Sequence, residues 1–237
     1  MDATLANKVV VVTGGSRGIG RAIVEAVLDA GARVAFCSRS RESVDRATQE
    51  LRKHWPGTVH GFPADVSNPS DVTAFFESVD KEFNGLDVLV NNAGLGIFRS
   101  VADMTVEEWQ RTIDTNLSGA FYCSREALAR FRKRSGGYIV NISSLAGKNP
   151  FAGGAAYNAS KFAMNGFSEA MMLDHRYDNV RVSYVMPGSV DTDFGSGGGS
   201  DWKVAPQDIA EIVMTLLKMP ERTLISRVEV RPSKPRK

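Results

Sequence analysis

Short apolar runs alternate along this chain with longer amphipathic ones. Val9–Val12, Arg33–Cys37, Val59–Pro63, Val88–Val90, Tyr138–Ile142 and Val180–Val185 are rich in β-formers and too short for ordinary helices. Most are apolar almost throughout, as strands buried on both faces should be. Between them Ile19–Ala30, Ser43–His54, Pro69–Phe83, Thr105–Lys133 and Ala155–Tyr177 have helical spacing. Ser67 or Asn68 can cap a helix opening on Pro69, and Thr105 with Glu108 matches a capping box. Pro206–Lys218 and Leu224–Val230 add a last helix and strand. Repeated strand–helix alternation predicts an α/β fold, a doubly wound parallel sheet with helices on both faces.

Composition changes this picture little. The chain has 237 residues, 43% hydrophobic and 24% charged, ordinary values that argue against disorder. With no internal linker it reads as a single domain, although roughly 150 residues per domain is usual. The formal charge is +2. Four of the basic residues fall in the tail Arg231–Lys237, which leaves the remainder slightly acidic. This balance gives little reason to expect nucleic-acid or membrane partners. Cys37 and Cys123 are far apart with no clustered His, so neither a disulfide framework nor a metal site is expected. No apolar run approaches the ~18 residues of a membrane span, and Met1–Lys8 does not read as a signal peptide. A cytoplasmic protein is expected.

The chemistry begins where Val9–Val12 enters Thr13-Gly14-Gly15-Ser16-Arg17-Gly18-Ile19-Gly20 and then a helix. A strand, a glycine-rich turn and a helix start are what a dinucleotide pyrophosphate requires: close backbone approach and unpaired N–H groups. The acid that often ends the second strand to hold a ribose 2′-OH is missing, and Ser38-Arg39 stands there instead. Arg39, with Arg17 nearby, suits a 2′-phosphate. That favours NADP(H), leaving NAD(H) open; the plain alternative is two solvated arginines.

Tyr157 and Lys161 lie one helical turn apart in Tyr-Asn-Ala-Ser-Lys. A nearby ammonium favours the phenolate and lowers a tyrosine pKa, making the hydroxyl a usable acid or base. Alone, such a pair is as well read as a packed ring and a solvated lysine.

The motifs taken in order carry more weight. Thr13-Gly14-x-x-x-Gly18-Ile19-Gly20, Asp65, Asn91-Asn92-Ala93-Gly94, Asn116, Ser144, Tyr157-x-x-x-Lys161, and Pro187-Gly188 with Thr192 follow one another from about Lys8 to Thr192. In this the chain resembles the short-chain dehydrogenase/reductase family in its single-domain, Rossmann-like form. The resemblance implies that Tyr157 exchanges a proton with the substrate oxygen and that Ser144, thirteen residues earlier, holds that oxygen. Ser143 is the adjacent alternative. Lys161 would hold the nicotinamide ribose and tune Tyr157, and Asn116 would bend its helix and bind a relay water. With Gly14, Ser16, Arg17, Gly18, Ile19, Gly20, Ser38 and Arg39 at the phosphates, Asp65 and Val66 would reach the adenine. Asp65 is also readable as a turn cap before Ser67. Asn91, Ala93 and Gly94 would line the ribose, and Pro187, Gly188, Val190 and Thr192 the carboxamide and phosphates.

Two segments depart from the family. The glycine-rich stretch within 193–205 is short for a substrate lid, and the C-terminus ends in a basic tail. Leu95, Ile97, Phe98, Asn149–Phe151, Phe194 and Trp202 would flank a mostly apolar small-molecule substrate. The expected assembly is a homodimer or homotetramer. The leading expectation is an NADP(H)-dependent carbonyl reductase. The alternatives are a 3-oxoacyl carrier-protein reductase, a non-catalytic NADP-binding redox sensor, and a sugar-nucleotide epimerase or dehydratase.

Overall fold

A computed structural model describes residues 5–194 and 200–235. Seven strands form one parallel sheet in the order β3-β2-β1-β4-β5-β6-β7. They are β1 (Val9–Thr13), β2 (Arg33–Ser38), β3 (Val59–Pro63), β4 (Val88–Asn91), β5 (Gly137–Ile142), β6 (Val180–Pro187) and β7 (Arg227–Val230). The helices are α1 (Gly18–Asp29), α2 (Arg41–His54), α3 (Pro69–Phe83), α4 (Val106–Ile113), α5 (Gly119–Lys133), α6 (Ala155–His175) and α7 (Pro206–Lys218).

The alternation of side chains along β1 shows why the strands are apolar throughout. Val10 and Val12 join a core with Val24 of α1, Leu51 of α2 and Val213 of α7. Val9 and Val11 join another with Phe75 and Phe76 of α3 and Phe131 of α5. Both faces are therefore covered, as a parallel sheet requires. The order reverses between β1 and β4, so the loops after these strands diverge and leave a crevice at the carboxyl edge of the sheet.

The caps formed as the sequence indicates. Asn68, not Ser67, accepts the Ser70 N–H at 3.0 Å, and Thr105 and Glu108 exchange both bonds of a capping box. Two predicted elements differ. The continuous helix 105–133 is broken by a π turn over Asp114–Ser118 that separates α4 from α5. The strand predicted from Leu224 begins only at Arg227, because the Ile225 carbonyl accepts from the Ser183 hydroxyl at 2.6 Å instead of entering the ladder.

Candidate active site

The crevice holds a cavity of about 860 Å³. Its floor is built by a clamp between the ends of β1 and β4. The Thr13 hydroxyl accepts from the Asn92 and Ala93 N–H groups at 3.0 and 2.9 Å. The Asn92 amide donates back to the Thr13 and Gly14 carbonyls at 3.0 and 3.2 Å. Gly14 has φ +68°, and a Cβ on Gly20 would collide with the Gly14 carbonyl oxygen. The turn is thus one that only glycine allows. Arg17, at the N-cap of α1, offers no side-chain cap, and the first turn has no acid. Helix N–H groups therefore face the cavity with the positive end of the helix dipole. These residues fit a dinucleotide pyrophosphate.

Beyond the turn the Ser16 and Ser38 hydroxyls meet at 3.0 Å. Arg17 and Arg39 are exposed on the same wall. Among the described residues neither guanidinium has an ion-pair partner, so both are available to an anion.

At the other end stand the three residues expected to react. The Ser143 hydroxyl is turned inward onto the Asn165 amide oxygen at 2.6 Å. Ser144 caps the short 3₁₀ turn Leu145–Gly147 by accepting the Ala146 N–H at 3.1 Å, and its hydroxyl donates to the Pro187 carbonyl at 3.4 Å. Ser144, Tyr157 and Lys161 all line the cavity. Lys161 is 5% exposed, and its Nζ donates to the Ile142 carbonyl at 3.0 Å and sits 5.7 Å from the Tyr157 ring centroid. Burial dominates the electrostatics. It pushes the Tyr157 phenol up, opposed by the nearby Ser144 hydroxyl, and pushes Lys161 down to about 8. The expectation that Lys161 by itself holds the phenol down is therefore corrected: an ammonium buried without a carboxylate is the weakened partner.

Asn116 lies in the π turn, which delivers the expected interruption of its helix. Its side-chain oxygen accepts the Leu95 N–H at 2.8 Å, and its amide donates to the Leu95 carbonyl at 2.9 Å and the Ser160 hydroxyl at 3.0 Å. The side chain thus ties the loop after β4 to α6, below Tyr157.

Of the predicted cofactor positions, Gly14, Ser16, Arg17, Gly18, Ile19, Ser38, Arg39, Val66, Ala93, Gly94, Pro187, Gly188, Val190 and Thr192 lie on the cavity wall. Three do not. Gly20 packs behind the turn. One carboxylate oxygen of Asp65 accepts from both the N–H and the hydroxyl of Ser67 at 2.9 and 2.7 Å, the turn-capping geometry. The Asn91 amide is buried and donates to Ser124 and Asn141 at 3.0 and 2.9 Å. Among the substrate positions, Phe98, Asn149, Phe151, Phe194 and Trp202 line the cavity, whereas Leu95, Ile97 and Pro150 do not. Phe98 and Phe194 bracket Tyr157 at ring-centroid distances of 5.7 and 5.8 Å. The 193–205 segment is anchored where the Asp191 N–H donates to Val204 and the Val204 N–H to Ser189, at 2.8 and 3.0 Å. Its glycines 195 and 197–199, read as a mobile loop or lid, lie outside the described residues.

Sequence reasoning missed the Asn92 clamp, although its motif was in view, and missed Lys203, Arg231 and Pro232 on the wall. Arg231 carried no signal, since a basic tail reads as solvated.

Comparison with known proteins agrees with this geometry. A family profile described as short chain dehydrogenase matches residues 8–201. A 3alpha-hydroxysteroid dehydrogenase of Mediterraneibacter gnavus is 37% identical over 194 residues, 81% of this chain and 78% of that protein. An uncharacterized oxidoreductase of Staphylococcus aureus USA300 is 31% identical over 230 residues, 96% of this chain and 98% of that one. Among solved structures, an alcohol dehydrogenase from Thermococcus sibiricus complexed with 5-hydroxy-NADP superposes with TM-score 0.90. It is 31% identical and covers 97% of this chain and 98% of its own. A metagenomic short-chain oxidoreductase in complex with NADP gives TM-score 0.86 and 37% identity, covering 98% of this chain and all of its own. On the glycine turn, the parallel sheet and the match across residues 8–201, this chain belongs to the short-chain dehydrogenase family of oxidoreductases.

Proposed function

We propose that this protein is an NADP(H)-dependent carbonyl reductase, reversible as a secondary-alcohol dehydrogenase, with Tyr157 as its general acid and base. The observation that carries the reading is that Ser144, Tyr157 and buried Lys161 line one cavity with the glycine turn, the Lys161 Nζ 5.7 Å from the Tyr157 ring centroid. Arg17 and Arg39 support NADP(H) over NAD(H), as do two solved relatives that hold NADP or a derivative.

The bound cofactor would supply the hydride. The chain's own groups do the rest. The Ser144 hydroxyl donates to the carbonyl oxygen and holds it, and Tyr157 delivers its proton to that oxygen as negative charge builds there. Burial pushes the Tyr157 phenol up and keeps it protonated, so the proton it delivers in reduction is in place before the substrate binds. Phe98, Phe151 and Phe194 keep the reacting end apolar and shield it from water. Gly14, Gly18 and the start of α1 would hold the pyrophosphate, and Lys161 the nicotinamide ribose.

Loss of NADPH absorbance on addition of aldehydes, ketones, diketones and 3-oxoacyl thioesters tests the proposal. Turnover of at least one class is expected. Tight NADPH binding with no turnover of any class would overturn it in favour of a binding module.

The position of Lys161 gives a second expected result. Free, it loses its proton near pH 8. Cofactor phosphates and ribose hydroxyls favour the charged form, so its pKa rises on binding. Binding at pH 9 should therefore take up close to one proton, and binding at pH 7 almost none. Calorimetry in buffers of different ionisation enthalpy measures this, and the uptake should vanish in Lys161→Met.

Self-association is part of the proposal. Trp109 of α4, Phe121 of α5, and Phe162 and Leu173 of α6 are large apolar side chains left between 42% and 57% exposed. These helices would supply a two-fold interface.

A further inference from the structure

Arg231 and Pro232 follow β7 directly and line the same cavity as Ser144 and Tyr157. Gly188 fixes their position. Its N–H donates to the Val230 carbonyl at 2.8 Å, and a Cβ there would lie 3.1 Å from Leu145 Cδ1 and 3.2 Å from Pro232 Cδ. The start of the tail thus lies against Gly188, which Leu145, the residue after Ser144, approaches as well.

Strand order keeps this end apart from the cofactor's phosphates. Arg39 follows β2 and Arg231 follows β7, five strand spacings away, or about 24 Å at ~4.8 Å per spacing. Arg231 cannot share the anion that Arg17 and Arg39 face. Ser144, after β5, is two spacings from Arg231, about 10 Å.

The charges around Arg231 do not cancel. Glu229 accepts from Lys148 Nζ at 2.5 Å through one carboxylate oxygen and from Arg231 Nη2 at 3.0 Å through the other. One carboxylate shared by two cations leaves a positive charge over. The Arg231 side chain is 52% exposed, and its remaining N–H groups are available to a planar oxyanion. On the same wall Lys203 and Asp193 carry opposite charges and add no net charge. The surface nearer Tyr157 is aromatic.

We propose, resting on the carbonyl-reductase reading, that the substrate pairs an apolar body with a carboxylate or similar oxyanion at the end away from its reacting carbonyl, and that Arg231 binds this anion. Arg231 is a specificity residue, supplied by a tail that no family motif covers.

Benzoylalkanoic acids with two to six methylenes, each paired with its methyl ester, test this. Two readouts are taken: kcat/KM with NADPH, and calorimetric binding to the NADP⁺-loaded protein, which needs no turnover. At one chain length the acid should exceed its ester by about tenfold, the scale of one half-exposed charge pair. Arg231→Gln should bring the acid-to-ester ratio to about one, Arg231→Lys should keep part of it, and Glu229→Gln should widen it. Because each ratio is read within one protein, a partly destabilised variant is still informative. Equal values for acid and ester at every length in both readouts, or a preference that survives Arg231→Gln, would overturn the proposal. If ketones are reduced without discrimination, the anion site fails and the reductase reading stands. If no ketone is reduced but acids bind the loaded protein through Arg231, the reductase reading fails and the anion site stands.

Discussion

Replacing Tyr157 by Phe is expected to lower kcat/KM for carbonyl reduction on the order of 10³-fold while leaving the NADPH dissociation constant within about twofold, since only a proton donor is lost. The ring of Tyr157 makes the packing contacts with Phe98, Phe151 and Phe194, and Phe keeps them. The hydroxyl is the only titratable part of the side chain, and Phe removes it. The substitution therefore separates chemistry from shape. Steady-state kinetics and fluorescence titration of NADPH supply the two numbers. A variant that keeps most of its turnover would show that the proton comes from elsewhere. A variant that loses cofactor affinity in step with turnover would assign the phenol a binding role only.

Arg39→Asp is the second large effect. The wall that receives the adenosine end carries Arg17 and Arg39 and none of the protein's carboxylates from β2 or its following loop. One charge-assisted hydrogen bond is worth about 1.5–3 kcal/mol. Replacing attraction by repulsion, and offering a ribose 2′-OH an acceptor, should swing the NADPH-to-NADH ratio of kcat/KM by about 100-fold. The change should fall mostly in KM, because the group lies far from the reacting atoms. Parallel kinetics with both cofactors decide the matter. A wild-type protein that already prefers NADH would contradict the assignment of Arg17 and Arg39 to a phosphate.

How much of this could be read without coordinates depends on whether the deciding force was local. The strands were legible because Val9–Val12 and its counterparts must bury both faces, and a run of apolar β-formers records that directly. The caps at Asn68 and Thr105 were legible because the bonds close within three residues. The π turn at Asp114–Ser118 leaves no trace in the helical spacing, and a bend at Asn116 follows only from the family resemblance. It exists because the Asn116 side chain is held by Leu95 and by Ser160 of α6, partners 21 and 44 residues away. The spacing of thirteen residues from Tyr157 favours Ser144 over Ser143, and the reason Ser143 is occupied, its hydroxyl donating to Asn165, is again a distant partner.

The same holds for electrostatics. Spacing places Tyr157 and Lys161 on one helical face, but not the depth at which they sit. That depth reverses the expected effect on the phenol, which burial pushes up, and it also pushes the ammonium down. Asn91 and Asp65 show that a motif does not say how a side chain is held within the fold. Each occupies its motif position, yet Asn91 bonds to Ser124 and Asn141 and Asp65 to Ser67. Arg231 illustrates the opposite case, a residue outside every motif that the return of β7 brings to the cavity.

The central claim is that this cavity passes a hydride to a carbonyl carbon while Tyr157 protonates the oxygen. Reduction of a ketone with NADPH deuterated at C4 of the nicotinamide, followed by mass analysis of the alcohol, tests it most directly. The expected result is one deuterium on the carbinol carbon from one face of the cofactor, with the product yield collapsing in Tyr157→Phe. An alcohol that carries no deuterium from either face, or that forms equally well without the Tyr157 hydroxyl, would contradict it.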